Sequence, residues 1–157
     1  MVTRLSGRKL RITIGKEVAV LADLLEEDAP NTSSVIWNRL PIKTRAVHDI
    51  WSGHVIFLHL DPIVMLPAEN LLTYLPTVGD IFYYYRPPHY FRGSPYERSE
   101  DAEIGIVYDR DSRPQGVRGP KAVNLFANIP KSTIGSFQKV CERILYDGTR
   151  DIELDKA

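Results

Sequence analysis

The feature that most constrains this chain is a period-two recurrence of apolar residues in short segments, each closed by a turn. Leu10, Ile12 and Ile14 alternate with charged or hydroxyl-bearing residues, and Gly15 separates the run Arg8 to Ile14 from Glu17 to Leu24. Such alternation reads as a strand with one buried face. Further strand candidates are Ile42 to His48, His54 to Leu60, Leu71 to Leu75, Asp80 to Tyr85, Ala102 to Tyr108 and Ala122 to Ile129. Two segments change to a helical period. After Asp28-Ala29-Pro30, the residues Ser33, Ile36, Trp37 and Leu40 share one face up to Pro41, with Asp28 or Asn31 as the expected cap. Later, Ser132 is the expected cap of a helix whose Ile134, Phe137, Val140, Cys141 and Ile144 form an apolar stripe. About eight strands with two helices between them predict a mostly β fold, a β-barrel closed or capped by the helices.

With 157 residues the chain is expected to be about one domain, spanning 1–157, with residues 1–8 flexible and 86–101 a long inserted loop. Twenty Lys and Arg face twenty Asp and Glu, so the basic excess that neutralises a phosphate backbone is missing and nucleic acid is not an expected partner. The most apolar stretch, His54 to Leu72, is interrupted by His59, Asp61, Pro62, Pro67, Glu69 and Asn70, and no membrane span is expected. The N-terminal Arg4, Arg8 and Lys9 precede no apolar run of the kind a signal peptide needs. A single cysteine, Cys141, excludes an internal disulfide framework and a cysteine-rich zinc module. It reads as a small buried hydrophobe, and the expected localisation is cytoplasmic.

Several runs together resemble a known family. Ala22-Asp23-Leu24-Leu25-Glu26-Glu27-Asp28-Ala29-Pro30-Asn31-Thr32, continuing to Trp37-Asn38-Arg39-Leu40, is similar to the strand-to-helix segment of cyclophilins. Val47-His48-Asp49-Ile50-Trp51-Ser52-Gly53, Pro67-Ala68-Glu69-Asn70, Val78-Gly79-Asp80-Ile81 and Asn124-Leu125-Phe126-Ala127-Asn128-Ile129 more closely resemble a bacterial family of unknown function with a cyclophilin-like fold. The resemblance covers roughly Leu10 to Leu154. It implies a closed β-barrel of about eight strands with two capping helices, and no established reaction. The segment Arg86 to Glu100 is longer than the family's usual connection. Its Pro87, Pro88, Pro95, Tyr90, Phe91 and Tyr96 among Arg86, Arg92 and Arg98 suit a lid, or a contact arm for a homo-oligomer.

Prolyl isomerisation, the activity of true cyclophilins, fits this sequence poorly. Cyclophilins place an Arg after a Phe-His pair, and here the comparable stretch is Val47-His48-Asp49. A carboxylate there repels the prolyl carbonyl oxygen that a cation would polarise. Arg45 is the nearest replacement, on the same strand face as Val47, and no counterpart of the glutamine-glycine-glycine segment is present.

A small closed barrel fills its interior with side chains, so polar residues within strands and adjoining loops become the site candidates. His48, Glu69 and Glu103 are the expected catalytic set, a histidine acting near neutral pH with carboxylates to orient it. Trp51, Ser52, Asn70, Tyr74 and Asn124 are the expected ligand-binding residues. Each also has a structural reading: His48 bonded to backbone before a turn, Glu69 capping a turn, Glu103 solvated on its strand, Asn70 and Asn124 satisfying loop amides, and Trp51 and Tyr74 packing the barrel. The catalytic reading requires His48, Glu69 and Glu103 to converge. A metal is not expected, since the odd separation of five between His54 and His59 places them on opposite strand faces; His48 with Glu69 and Glu103 could share an ion, but their spacing matches no known ligand motif. No cofactor is expected. Nucleophile-elbow, zinc-protease and dinucleotide motifs are missing. The sequence therefore predicts a cyclophilin-like protein that binds a small polar ligand in a surface cleft, with acid/base chemistry of a hydrolase or small-molecule isomerase type. The alternative is a non-catalytic binding or oligomerisation module contacting its partner through residues 86–98.

Overall fold

The structure, a computed structural model, describes residues 7–89, 93, 95 and 100–157. Along the chain its strands are β1 (Lys9–Ile14), β2 (Val18–Leu24), β3 (Ile42–His48), β4 (Val55–His59), β5 (Leu72–Thr73), β6 (Asp80–Arg86), β7 (Asp101–Val107), β8 (Gln115–Gly116), β9 (Gly119–Pro120), β10 (Val123–Asn128) and β11 (Arg150–Lys156). Helix α1 (Pro30–Arg39) lies between β2 and β3, and α2 (Gly135–Asp147) precedes β11. Eight strands pair antiparallel in the order β2-β1-β11-β3-β4-β7-β6-β10, and β10 pairs back onto β2 to close the barrel. Closure runs through Ala127 opposite Leu24 and Asn128 opposite Asp23. A register shift between Leu125 and Ala127 bends β10, as an extra residue in one strand of a ladder does. The same edge of β10 can then meet β5 at Val123 and Asn124 and β2 further on.

Period two sorts the side chains. Leu10, Ile12, Ile14, Ile56, Leu58, Ile81, Tyr83, Ile104 and Ile106 meet in one buried core that also takes Ile36 of α1 and Phe137, Val140, Cys141 and Ile144 of α2. Cys141 is fully buried, and burial pushes its thiol well up. Opposite parity in β4, β6, β7 and β10 builds a second, smaller apolar cluster of Val55, Phe82, Val107 and Val123 on the outer wall, with Tyr84 and Leu125 against it.

Both helices start differently from the sequence expectation. The residue preceding α1 is Ala29, and its side chain makes no cap; the cap comes from Glu69, described below. Ser132 falls in a 3-10 turn, Lys131–Thr133, and α2 begins after Ile134. The sequence reading does not include the strand β11: only Ile152 and Leu154 break a run of charged residues, but it bridges β1 and β3 and so completes the barrel. Residues 1–6, 90–92, 94 and 96–99 lie outside the described residues, and with them most of the expected flexible terminus and of the aromatic arm, including Tyr90, Phe91, Arg92, Tyr96 and Arg98. Arg8 is described, paired with Glu26 and seated 4.7 Å from the Trp37 ring. Among the described residues no helix is long and apolar enough to cross a membrane.

The outer wall is tightly built at Gly105. It stands opposite Phe57 on one side and Phe82 on the other, and a Cβ there would come within 2.0 Å of the Phe82 ring. Gly105→Ala is therefore expected to destabilise the fold by about 1–3 kcal/mol through forced displacement of that ring. Urea denaturation checks this, and an unchanged midpoint would mean that Phe82 moves aside freely.

Candidate functional site

The outer wall carries a polar and aromatic cleft of about 380 Å³. Three adjacent strands provide its floor. Phe57 and His59 of β4, Asp101 and Glu103 of β7, and Tyr84 and Arg86 of β6 all line it, and they are cross-strand neighbours: His59 and Tyr84 each stand opposite Glu103, and Arg86 opposite Asp101. Because side chains alternate along a strand, these residues share the outward parity that leaves Ile104 and Ile106 to the core.

Two loops wall the cleft. The first, residues 49–53, is an Asx turn: Asp49 Oδ1 accepts from the amides of Trp51 at 2.7 Å and Ser52 at 3.1 Å. This leaves Ile50 and Trp51 on the rim, 77% and 58% exposed. The second is the β8–β9 hairpin, closed by Val117 and Arg118 with Gly119 at φ 106°. Ser52 joins the two walls, its Oγ accepting from the Gln115 amide at 2.9 Å and its carbonyl from the Arg113 amide at 2.9 Å. Lys121 follows the hairpin and reaches back across the floor. Its Nζ donates to Glu103 Oε1 at 2.6 Å and lies 4.5 Å from the Tyr84 ring. The side chains of this pair are only 13% and 9% exposed.

Beside it, His59 Nδ1 is 2.8 Å from Asp101 Oδ1, and Arg86 is 3.8 Å from Asp101. The Asp101 hydrogen bond raises the His59 pKa above its ordinary value. Burial pushes the Asp101 carboxyl up, but the His59 hydrogen bond and charge outweigh it and hold the group below its ordinary value. A carboxylate on Nδ1 orients the ring and leaves Nε2 to exchange a proton. His59, Asp101 and Glu103 bring one ligand atom each within 4.8 Å of one another, so they are the described residues able to hold a metal ion. Lys121 and Arg86 already neutralise their carboxylates.

The structure separates the expected catalytic set. Glu103 is on the cleft floor, buried and paired rather than solvated. The His48 run borders the same cleft, but its side chain follows the inward parity. Nδ1 is 2.7 Å from the Asp49 carbonyl, which can only accept, so Nδ1 carries the hydrogen, and Nε2 accepts from Tyr108 Oη at 2.6 Å. Burial lowers its pKa. With both ring nitrogens engaged, His48 holds the start of the 49–53 loop. Glu69 stands elsewhere: Oε1 accepts from the Asn31 amide at 2.9 Å, and Oε2 from the Thr32 amide at 3.0 Å and hydroxyl at 2.8 Å. It thus caps α1 from 38 residues away, where a carboxylate also meets the positive end of the helix dipole. Burial pushes its carboxyl up, but these bonds prevail and keep it below the ordinary value. Asn124 belongs to the same network, accepting from the Glu69 amide at 3.1 Å and donating to Thr32 Oγ1 at 2.9 Å. Asn70 is exposed and bonds Asp28 through its amide. Tyr74 lines a separate groove beyond the hairpin with Gln115 and Pro120. Trp51 lines the cleft, whereas Ser52 is buried beneath its walls and does not line it. Arg45 turns to Thr149 and Asp151 and does not line the cleft.

His59, Asp101, Lys121, Phe57 and Tyr84 are absent from the sequence-based set. Strand parity was the available signal for Phe57, Tyr84, His59 and Asp101, since each shares a face with a residue already in question. Lys121 sits in an irregular stretch and gave none.

Residues 12–156 match the family described as "Protein of unknown function (DUF3830)". No curated protein matches the sequence. Among solved structures, the fold is similar to that of McbB in complex with tryptophan, at 13% identity and a TM-score of 0.65, over 93% of this chain and 44% of McbB. The chain thus spans less than half of McbB. It is also similar to the hypothetical protein AF2241 from Archaeoglobus fulgidus, at 22% identity and a TM-score of 0.63, over the full length of both chains. These likenesses bear out the barrel and carry no activity with them.

Removal of the remote cap by Glu69→Ala is expected to cost about 0.5–2 kcal/mol of stability, read from urea denaturation; an unchanged midpoint would mean that α1 does not depend on it. The His59–Asp101 pair predicts a pH dependence. Asp101 contributes stability above its ordinary value of 3.8, and His59 contributes it fully below its ordinary value of 6.5, losing it as pH rises through the raised folded value. His48 acts with the opposite sign, its lowered value removing stability as pH falls below 6.5. The stability difference between wild type and His59→Gln is therefore expected to be largest near pH 5–6 and to shrink toward pH 8. A difference independent of pH would rule the coupling out.

Proposed function

This chain belongs to the DUF3830 family of proteins of unknown function, and from that premise we propose that it binds a small polar ligand with a planar portion in the outer-wall cleft, where the His59–Asp101 pair supplies acid/base chemistry. The observation that carries this reading is the Lys121–Glu103 ion pair, almost closed off from solvent on a floor that also holds the aromatic rings of Phe57 and Tyr84. Desolvating two charges on a barrel's outer wall adds little to stability by itself, whereas convergent charges inside an apolar concavity are how small-molecule sites fix their ligands. The volume is near the lower end of the roughly 300–1,000 Å³ typical of ligand sites, which limits the occupant to a small molecule.

His59 Nε2 is the group able to take or give a proton, with Asp101 holding the tautomer. Trp51, Phe57 and Tyr84 offer apolar faces to a planar ligand, and Ser52 and His48 position the loop that carries Trp51. The prolyl isomerase reading is not carried forward, because Asp49 is committed to its turn and Arg45 to Thr149 and Asp151. Tryptophan, the molecule named with McbB, has the size and planarity in question and belongs on the test panel. A second reading, assembly through this face, is favoured by the exposed rim of Ile50, Trp51 and Val117.

A thermal-shift screen of small amides, carboxylates, cyclic imides and aromatic amino acids tests the proposal. A ligand at about 100 times its dissociation constant adds about 2.7 kcal/mol, which corresponds to a rise in Tm of roughly 5–10 °C for a domain of this size. The rise is expected in wild type and lost in Trp51→Ala and Glu103→Gln. A rise retained in both variants would place the ligand elsewhere. No rise with any compound, together with concentration-dependent dimerisation abolished by Trp51→Ala, would transfer the cleft to the assembly reading.

A further inference from the structure

The charges on the cleft floor alternate in a way that specifies the ligand further. Two carboxylates, Asp101 and Glu103, lie two residues apart on one face of β7, and each has its own cation: Arg86 at 3.8 Å from Asp101 and Lys121 at 2.6 Å from Glu103. The floor is therefore formally neutral but strongly dipolar. An anionic ligand drawn to Lys121 meets Glu103 and Asp101 at once, and a cationic ligand drawn to the carboxylates meets Lys121 and Arg86. A molecule carrying both charges answers both sets. From this we infer that the occupant is a zwitterion of the α-amino acid class, with its ammonium group at the His59–Asp101–Glu103 corner, its carboxylate at Lys121, and an aromatic or planar side chain between Trp51 and Tyr84. The inference rests on the cleft being a ligand site and names the class of ligand for it.

Geometry and hydrogen-bonding capacity agree with this assignment. Three acceptors around a tetrahedral ammonium, each about 2.9 Å away, are about 4.7 Å from one another, and the ligand atoms of His59, Asp101 and Glu103, all within 4.8 Å of one another, are close enough to converge on one such group. A divalent metal ion would bring two charges against two resident cations, Arg86 and Lys121. An ammonium brings a single charge and three donors. The Glu103 carboxylate has about four lone-pair positions and the Lys121 ammonium three donors, and their mutual bond uses one of each, so both can engage the ligand without separating. The aromatic side chain is expected because Trp51, Phe57 and Tyr84, which also line the cleft, offer flat apolar surface.

Isothermal titration with L-tryptophan and L-phenylalanine, compared with N-acetyl-L-tryptophan and L-tryptophan amide, tests the assignment. The first two are expected to bind. Removing either charge is expected to weaken binding at least tenfold, since a charge-assisted hydrogen bond contributes about 1.5–3 kcal/mol. In Glu103→Gln the preference for L-tryptophan over its N-acetyl form should collapse while circular dichroism remains that of the wild type. If the N-acetyl or amide form binds as tightly as the amino acid, the zwitterion assignment falls. It falls equally if Zn²⁺ or Mn²⁺ binds with an affinity that His59→Ala abolishes, because that corner would then be a metal seat. If no amino acid binds but a planar carboxylate or amide does, with the effect lost in Trp51→Ala, the assignment is overturned and the cleft reading stands. If none of these compounds binds, both fall together.

Discussion

Closure of the sheet is the constraint from which the rest of the structure follows. Once β10 returns to β2, every second residue of eight strands faces an interior filled by isoleucine, leucine and aromatic side chains, and nothing polar can act there without losing solvent and partners together. Chemistry is displaced to the outer wall. There, the faces of β4, β6 and β7 are left to side chains that the core does not claim, and two loops raise walls around them. The bulge in β10 and the close approach of Phe82 to Gly105 are local consequences of bending a sheet until it meets itself.

Two polar networks illustrate the difference between holding a fold and building a site. Glu69, Thr32 and Asn124 satisfy one another around the first turn of α1, and each bond replaces one that the helix terminus would otherwise take from water. Glu103, Lys121, Asp101, Arg86 and His59 are also paired, but around an open concavity with aromatic walls. In the first network the hydrogen-bonding capacity is used for backbone amides. In the second it faces a space large enough for a small molecule. His48 and Ser52 belong with the first group in character and serve the second by position, since they anchor the loop that carries Trp51.

Much of the fold was readable from local pattern. The segment Ile42 to His48 coincides with β3, and the other long strand candidates fall within one or two residues of the observed boundaries, because alternation of apolar and polar residues is a local consequence of one buried face. Where the reading departed, a distant partner was responsible. α1 is capped by a residue from a later loop, and β11, heavily charged, takes its place only by bridging β1 and β3. The short hairpin β8–β9 lies in a stretch of glycine, proline and arginine whose pairing has no apolar period to reveal it. The resemblance to a cyclophilin-like family of unknown function pointed to the barrel and left its chemistry open, as the family match and the two structural likenesses also do.

The candidate site shows where local information stops. Side-chain period and burial alone dictate that strands dominate, that their apolar faces fill a barrel, and that polar residues such as Glu103 need a place outside it. Which polar residues meet is settled by long-range pairing. His48, Glu69 and Glu103 lie in equally suggestive sequence contexts, yet folding seals His48 against Tyr108, sends Glu69 to a helix terminus, and sets Glu103 between Lys121 and His59. The physical reason is that strand parity assigns a residue to a face, while its neighbours on that face come from strand order and register, and these are set by closure of the whole sheet.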